Sequence, residues 1–505
     1  MTLKIYLAGL CLLLLFAQML TASRQLSLTY DEPIYAAVGY ADLTTGDMRW
    51  HSVIGHPPLV NLLTAWPLLL ESTRPQAVLS PAWGTTDSLG FSRGLIAQFD
   101  SLERLTLITR LPVMWLTVLL AAFVYRWAQQ AWGGTAGLLA LLLFTFDPHI
   151  LAHGQLNTTD MGVTAFGFVS CYALARYLRR PSWITYLGTG LGMGAALASK
   201  ASGAFWIGAG GLVVLIFWAS AGGPRAGLRS LGVWLGRGIG WVGLALFVLW
   251  GAYVFELRPL TPTGLPIPAA SHWAGLAYIR SYMATGQTTF IAGRLKPGGH
   301  WSYFPLALLI KTPLPTLLGL LTALIWSMRH RTAPRWSTIP LVSVPVAYVL
   351  ISMSAALNIG HRHMLPVLPF AFVFIAQLAG EHVVDLLRRP RRRWWRALAY
   401  LLAIWYIGGT LTIFPNYLTF FNILAGGPDG GYRYLADSSV DWGQALKELQ
   451  RYLDRQGYTS VHLAAFSSLE PCPCKVCGYS TPIPTTGSAT VYRKLKLATL
   501  SSSIK

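Results

Sequence analysis

Residues 4–33 read KIYLAGLCLLLLFAQMLTAS (4–23) followed by RQLSLTYDEP (24–33), and how this stretch is read decides the fold. One lysine opens an apolar run that continues to about Ala22, the charge pattern of a signal peptide or an N-terminal membrane anchor. We read an anchor; on either reading the chain that follows starts on the non-cytoplasmic side. Where the run leaves the membrane stands Tyr30-Asp31-Glu32-Pro33. Aspartate and glutamate total only 19 of 505 residues, and two of them are adjacent here, ahead of a proline that stops any continuing helix. Carboxylates also suit the first turn of a helix, so on local grounds the pair reads equally as a helix start or as a site.

The whole composition agrees with a membrane chain. It is 53% hydrophobic and 11% charged, against about 25% charged for an ordinary soluble domain. Apolar runs of about 20 residues recur along it, which makes it an all-α polytopic membrane protein. The net charge of +20 does not point to nucleic acid, because the arginines lie in short loops between apolar runs. The 20 Trp and 22 Tyr suit interfacial belts. The five cysteines form no disulfide framework. Cys11 and Cys171 lie in apolar runs, and Cys472, Cys474 and Cys477 have metal-like spacing without an evident fourth ligand.

Taken in order, a first outer loop covers residues 23–104. In it, 34–43 is amphipathic, and His56-Pro57-Pro58 introduces 59–70, too short to span and holding Pro67, so an interfacial helix is expected. Further spans are expected at 105–126, 133–150, 160–178, 183–199, 203–220, 232–256, 303–326, 338–357, 364–387 and 396–414, about eleven with the first. Counting from an inside N-terminus, Arg126, Arg176, Arg179, Arg180, Arg225, Arg229, Arg329, Arg331, Arg335 and the run from Arg388 to Arg396 all fall in inner loops, as the positive-inside rule requires. Residues 1–415 then form the membrane domain and 416–505 a small outer region. Past the turn-rich 426–431, Asp441 is expected to cap a helix over 442–455 and 461–466 to form a strand, a small α/β appendage.

This topology gathers rare polar groups on the outer surface: Asp31, Glu32, His51 and His56 from the first loop, and Asp147, His149, His153, Asn157 and Asp160 from the second. Lys200, His361-Arg362-His363, Asp437 and Asp441 lie on the same side. Each has a plain structural reading. Asp160 can cap the next span, His149 and His153 can be an interfacial pair, and Lys200 and Arg362 can reach headgroups. As a set they sit less easily with that, because ionisable groups at membrane depth are costly and mark pathways or sites. The mixture suits one chemistry. A carboxylate acts as general base toward a hydroxyl, cations hold a phosphate as it leaves, and carboxylates with histidines can share a divalent metal.

In order and side, these motifs resemble the glycosyltransferase C superfamily, and more closely the protein O-mannosyltransferase and aminoarabinose transferase group, glycosyltransferase family 39. The matching features are Tyr30-Asp31-Glu32-Pro33, His56-Pro57-Pro58-Leu59, Asp147-Pro148-His149 through Asn157-Thr158-Thr159-Asp160, Ser199-Lys200, and His361-Arg362-His363-Met364-Leu365-Pro366. Phe421-Asn422 through Asp441-Trp442-Gly443-Gln444 looks like the tail of a bacterial branch. The resemblance implies a polyprenyl-phosphate sugar donor and no nucleotide cofactor. It makes Asp31 the catalytic base, with Glu32 as its alternative or as a metal ligand, and Asp160 the second-loop acidic residue. Lys200 and Arg362 would contact the lipid phosphate, with His56 and His361 lining the substrate site. A metal, if one is held, would draw on Glu32 and His56. The large outer domains of the eukaryotic mannosyltransferases are absent, so the acceptor stays open between glycan, lipid and protein.

The expected function is therefore an inverting glycosyltransferase of the cell (inner) membrane, working on its non-cytoplasmic face beside membrane lipids. A transporter or lipid flippase is the alternative; it should show polar breaks in mid-span and related halves, and no internal repeat is evident. A non-catalytic membrane subunit is the third.

Overall fold

A chain this apolar must satisfy its backbone within helices. The computed structural model describes residues 2–80, 82–220, 227–261, 263–286, 288–330, 335–381, 383 and 393–458, with the pairs 462–463 and 477–478. Helix α1 (Thr2–Ser23) leads into the first loop, which carries α2 (Glu32–Thr45), α3 (His51–Ile54), α4 (Leu59–Ala65) and α5 (Ser88–Ile96). Then come α6 (Leu102–Trp132), α7 (Gly134–Thr145), α8 (Pro148–His153), α9 (Thr159–Arg179), α10 (Trp183–Leu197), α11 (Phe205–Ser220) and α12 (Gly227–Ala252). A further loop holds the antiparallel pair β1 (Leu257–Pro259) and β2 (Pro266–Pro268), helix α13 (Ala270–Ala284), and the pair β3 (Thr289–Ile291) and β4 (Arg294–Lys296). Helices α14 (Tyr303–Lys311), α15 (Leu314–His330), α16 (Arg335–Met353), α17 (Leu368–Ile375) and α18 (Arg393–Leu411) complete the bundle. Beyond it lie α19 (Leu446–Gln456) and the two-residue strands β5 (His462–Leu463) and β6 (Cys477–Gly478), which pair in parallel.

Every expected run after the first overlaps a helix or a helix pair; residues 382 and 384–387 of the run 364–387 lie outside the described residues. Among the described residues, seven helices are long and apolar enough to cross a membrane, eight if the bent pair α14–α15 counts as one. This is a multi-pass membrane protein. Of the other expected spans, α7 has 12 residues, α10 has 15, and α18 begins on Arg393 and Arg396. The core lies between α6, α9, α11 and α17, where Trp127, Phe168 and Trp206 surround Phe370 with ring centroids 4.9–6.1 Å apart. The Trp127 indole N–H, buried with its ring, donates to Ser337 Oγ at 2.9 Å.

Three expectations need correction. The segment 34–43 is not an amphipathic surface helix. As part of α2 it is buried on nearly all sides, because the first loop folds around a core of its own, with Trp50 stacked on Phe91 at 4.5 Å beside Tyr40 and Leu95. The interfacial segment is α4 with its following turn, where Leu63, Trp66 and Leu70 face outward. Second, 303–326 is no straight span. α14 and α15 meet at 108° across Thr312-Pro313, since a proline supplies no N–H to continue the ladder. Third, Asp441 caps no helix. It accepts from Gly443 N–H within a turn, and α19 starts only at Leu446.

Residues 416–445 do not stand apart as an appendage. The break after α14 leaves carbonyls without helical partners, and Asn422 supplies them. Its amide donates to Leu309 O (2.7 Å) and Thr312 O (2.8 Å), and its backbone N–H to Ile310 O (2.8 Å). Lys311 Nζ answers by donating to Leu418 O (2.9 Å) and Ser439 O (2.5 Å). Tyr417, Leu418 and Trp442 join the main core. Cys472 and Cys474, and the basic residues 388–392, lie outside the described residues.

Candidate active site

Four elements converge at one face of the bundle. Asp31 is the residue before α2, and its side chain does not cap that helix. Asp160 sits in the first turn of α9. Lys200 has extended backbone between α10 and the short turn leading to α11. Arg362 is held in a 3-10 segment, His361–Val367. Their side chains form a row of alternating charge. Arg362 Nη1 donates to Asp31 Oδ2 at 2.9 Å and lies 3.9 Å from Asp160 Oδ2, whose other oxygen accepts from Lys200 Nζ at 2.5 Å. Two negative and two positive groups balance, the condition under which charges can be buried. The row is shielded from solvent except at one end: the Asp31 side chain is 21% exposed, against 3% for Asp160 and 10% for each cation.

Around the row stand groups with unused hydrogen-bonding capacity. Arg362 Nε, His56 Nδ1, His153 Nδ1 and both polar atoms of Asn157 are buried without a partner among the described residues. His56 lies 6.0 Å from the Tyr35 ring. Burial, reinforced by the positive charges of Lys200 and Arg362, pushes the His56 imidazole down to about 3, so it stays neutral at physiological pH. Behind it, His51 meets an acceptor on each nitrogen, Asp42 Oδ2 at 2.7 Å and the His56 carbonyl at 2.6 Å. Burial lowers the His51 pKa, and Asp42 together with the His56 carbonyl and Glu256 raises it by more, so it lies above the ordinary imidazole value.

Glu32, expected as an alternative base or metal ligand, has a different position. Arg110 binds it through two parallel hydrogen bonds, Nε–Oε1 at 2.8 Å and Nη2–Oε2 at 2.7 Å, and both side chains are fully buried. The same carboxylate accepts from the backbone N–H of Thr29 and Asn157. Arg110 spends its remaining donors on Ser23 and Ser27. Glu32 is thus a clasp joining the end of α1, α6 and the loop before α9, and it has no oxygen left for a proton or a metal. The metal pair Glu32 with His56 does not fit these residues. His361 also lies off the row: its ring faces His149 at 4.3 Å, and its backbone N–H donates to Ser439 Oγ.

Arg110, Asp42, Tyr35 and Trp442 were missed as parts of the site. Trp442 places its ring 4.1 Å beneath the Arg362 guanidinium. Its carbonyl accepts from Tyr30 N–H at 2.9 Å, next to Asp31. Ser438 Oγ donates to Ile359 O and Ser439 Oγ accepts from His361 N–H, both in the backbone just before Arg362. An arginine inside an otherwise apolar run, as Arg110 is, was the available signal for a buried partner.

Residues 102–250 match the family model described as dolichyl-phosphate-mannose-protein mannosyltransferase. Among solved structures, ArnT from Cupriavidus metallidurans bound to undecaprenyl phosphate aligns with a TM-score of 0.50 at 15% identity, over 81% of this chain and 70% of that one. The chain has a glycosyltransferase C-type membrane fold. The apo form of the same ArnT gives a TM-score of 0.49 at 16% identity, covering 82% of this chain and 65% of that one. The archaeal oligosaccharyltransferase AglB from Archaeoglobus fulgidus, in complex with an inhibitory peptide and a dolichol-phosphate, gives 0.49 at 12%, covering 80% and 55%. The chain thus spans about two thirds of the length of ArnT. No curated protein matches the sequence. The resemblance drawn from the motifs is borne out: the fold is that of ArnT, and residues 102–250 match the mannosyltransferase family model. Within this glycosyltransferase C-type fold, Arg110, Asp160 and Lys200 fall inside the matched segment, whereas Asp31, Arg362 and Trp442 are brought to it from outside.

Proposed function

We propose that this protein transfers a sugar from a polyprenyl-phosphate donor to an acceptor hydroxyl, on the non-cytoplasmic face of the cell membrane. The observation that carries the reading is the Asp31–Arg362–Asp160–Lys200 row, open at its Asp31 end. Arg362 and Lys200 are the cations for the donor phosphate, and Arg362 Nε is a buried donor still without a partner. Asp31, at the open end of the row, is the carboxylate that the acceptor hydroxyl meets. The acceptor oxygen then attacks the anomeric carbon as its proton passes to Asp31. The anomeric carbon–phosphate oxygen bond breaks, and polyprenyl phosphate departs with the bonding pair, its added charge stabilised by the two cations. Asp160 holds Lys200 in place for that moment. The bond forms on the face opposite the leaving group, so the configuration inverts. The undecaprenyl phosphate held by the ArnT structure supports the donor class.

The test is transfer from a labelled polyprenyl-phosphate sugar by the purified protein. Asp31→Asn should abolish it, and a variant that transfers at the wild-type rate would remove Asp31 from the role of base.

A further inference from the structure

The mouth of the site has a second wall, on α13, that the reaction above leaves without a role. α13 reaches α3 through glycines at close approach. A Cβ at Gly275 would stand 2.5 Å from the His51 carbonyl oxygen, and one at Gly55, whose φ is +71°, would stand 2.5 Å from Ile279. Both contacts flank the residues that lead into His56. On a helix, positions 275, 278, 279 and 282 share one face. The first part of that face is covered by α3; the last turn is not.

Tyr278, whose Cδ1 would stand 3.4 Å from a Cβ at Gly55, and Tyr282 stand four residues apart with ring centroids at 6.4 Å and planes 21° apart. They are 45% and 43% exposed. Tyr282 lies close enough to Asp437 and Asp31 to feel both charges. Asp437 itself has φ +57°, a left-handed conformation uncommon for a residue with a side chain, and feels the charges of Arg362 and Asp31. Two nearly parallel phenol rings, one of them against Gly55 beside His56, therefore stand within electrostatic reach of Asp437 and Asp31.

The chemistry of such a surface is selective. Aromatic faces offer rigid apolar area at low entropic cost, with a phenol hydroxyl at the rim. A pyranose or furanose ring has a matching apolar C–H face and a border of hydroxyls for carboxylates to accept. An extended peptide draws its affinity from backbone hydrogen bonds, and the backbone of this helix already uses its own. An anionic acceptor would meet Asp31 and Asp437.

We propose that Tyr278 and Tyr282 are the acceptor platform and that the acceptor is a carbohydrate, its ring laid on these tyrosines with one hydroxyl directed at Asp31. This rests on the transferase reading; the bonds made and broken are those given above, the attacking oxygen being a sugar hydroxyl.

The platform is read by saturation-transfer difference NMR on the full-length protein in nanodiscs free of glycolipid, with the methyl glycosides of glucose, galactose, mannose and arabinose as probes. At least one glycoside should receive saturation on its ring C–H protons. Tyr278→Ala with Tyr282→Ala should abolish it, and Tyr278→Phe with Tyr282→Phe, which keeps both rings, should retain it. No saturation of any glycoside, undiminished saturation in the alanine pair, or saturation of the peptide acetyl-Ala-Ser-Thr-Ala-amide in their place would overturn the proposal. Donor turnover by the wild type is scored separately. Turnover without glycoside saturation sinks the platform alone, and saturation without turnover on any donor sinks the transferase reading and the acceptor role with it.

Discussion

The Trp442 indole lies against the Arg362 guanidinium at 4.1 Å while its carbonyl takes the Tyr30 N–H, so one residue of the C-terminal segment touches both sides of the charge row. A desolvated cation–π contact is worth about 2 kcal/mol, roughly 30-fold in kcat/KM if it is needed in the transition state. Trp442→Ala should lower donor kcat/KM by about that factor. Trp442→Phe, keeping an aromatic face, should lose less. Steady-state kinetics of the two variants, with melting curves to check the fold, test this.

Asp31 and Glu32 are neighbours with opposite duties, and their conservative replacements should separate cleanly. Glu32→Gln leaves the Arg110 charge buried and uncompensated, which costs about 3–5 kcal/mol. It should lower the melting temperature sharply and the yield with it. Asp31→Asn, at the exposed end of the row, leaves Arg362 with Asp160 at 3.9 Å and should melt less far below wild type than Glu32→Gln while being inactive. Equal melting temperatures for the two variants would contradict the clasp.

His56 carries a pH signature. Unfolded, it titrates near 6.5; folded, it takes no proton until about 3. Between those values the unfolded state binds more protons, so this residue's effect is to lower stability as pH falls from about 6.5 toward 3. Lys200, Arg362, Asp160 and His51 all bear on it. His56→Gln should melt with a flatter acidic limb than wild type and show little difference above pH 7. Melting curves across pH 4–8 decide it.

Lys311 fastens the C-terminal segment through two backbone carbonyls. A buried hydrogen bond of this kind is worth about 0.5–1.5 kcal/mol net. Lys311→Met should loosen residues 416–445, and limited trypsin digestion should cut faster at the exposed Arg433. Unchanged digestion would mean that Asn422 and the core contacts hold the segment alone.

Much of the row was readable in advance. Asp31, Asp160, Lys200 and Arg362 are rare charges in an apolar chain, and counting arginines per loop put them on one face. The spans were readable because burial in lipid demands long apolar runs. The pairing of Glu32 with Arg110 was not, since 78 residues separate them and nothing local links an acid in a loop to a base inside a helix. The role of 416–445 was hidden for another reason. Its glycines read as a linker, and it docks through 3-10 turns and backbone carbonyls, which leave no periodic pattern in side chains. The bend at Pro313 did have a signal, Lys311 followed by Pro313 and Pro315 inside one apolar run.

The closure of the first loop by the last segment also sets a timetable. Ser27 Oγ accepts from Lys447 N–H across 420 residues of chain. A ribosome releases Asp31 early, and Trp442 only after all the spanning helices have been made. A nascent chain therefore carries its base for most of its synthesis without the wall that completes the pocket. Under the proposed reaction, a product stopped short of Trp442 lacks the aromatic face against Arg362 and transfers lipid-linked sugar slowly.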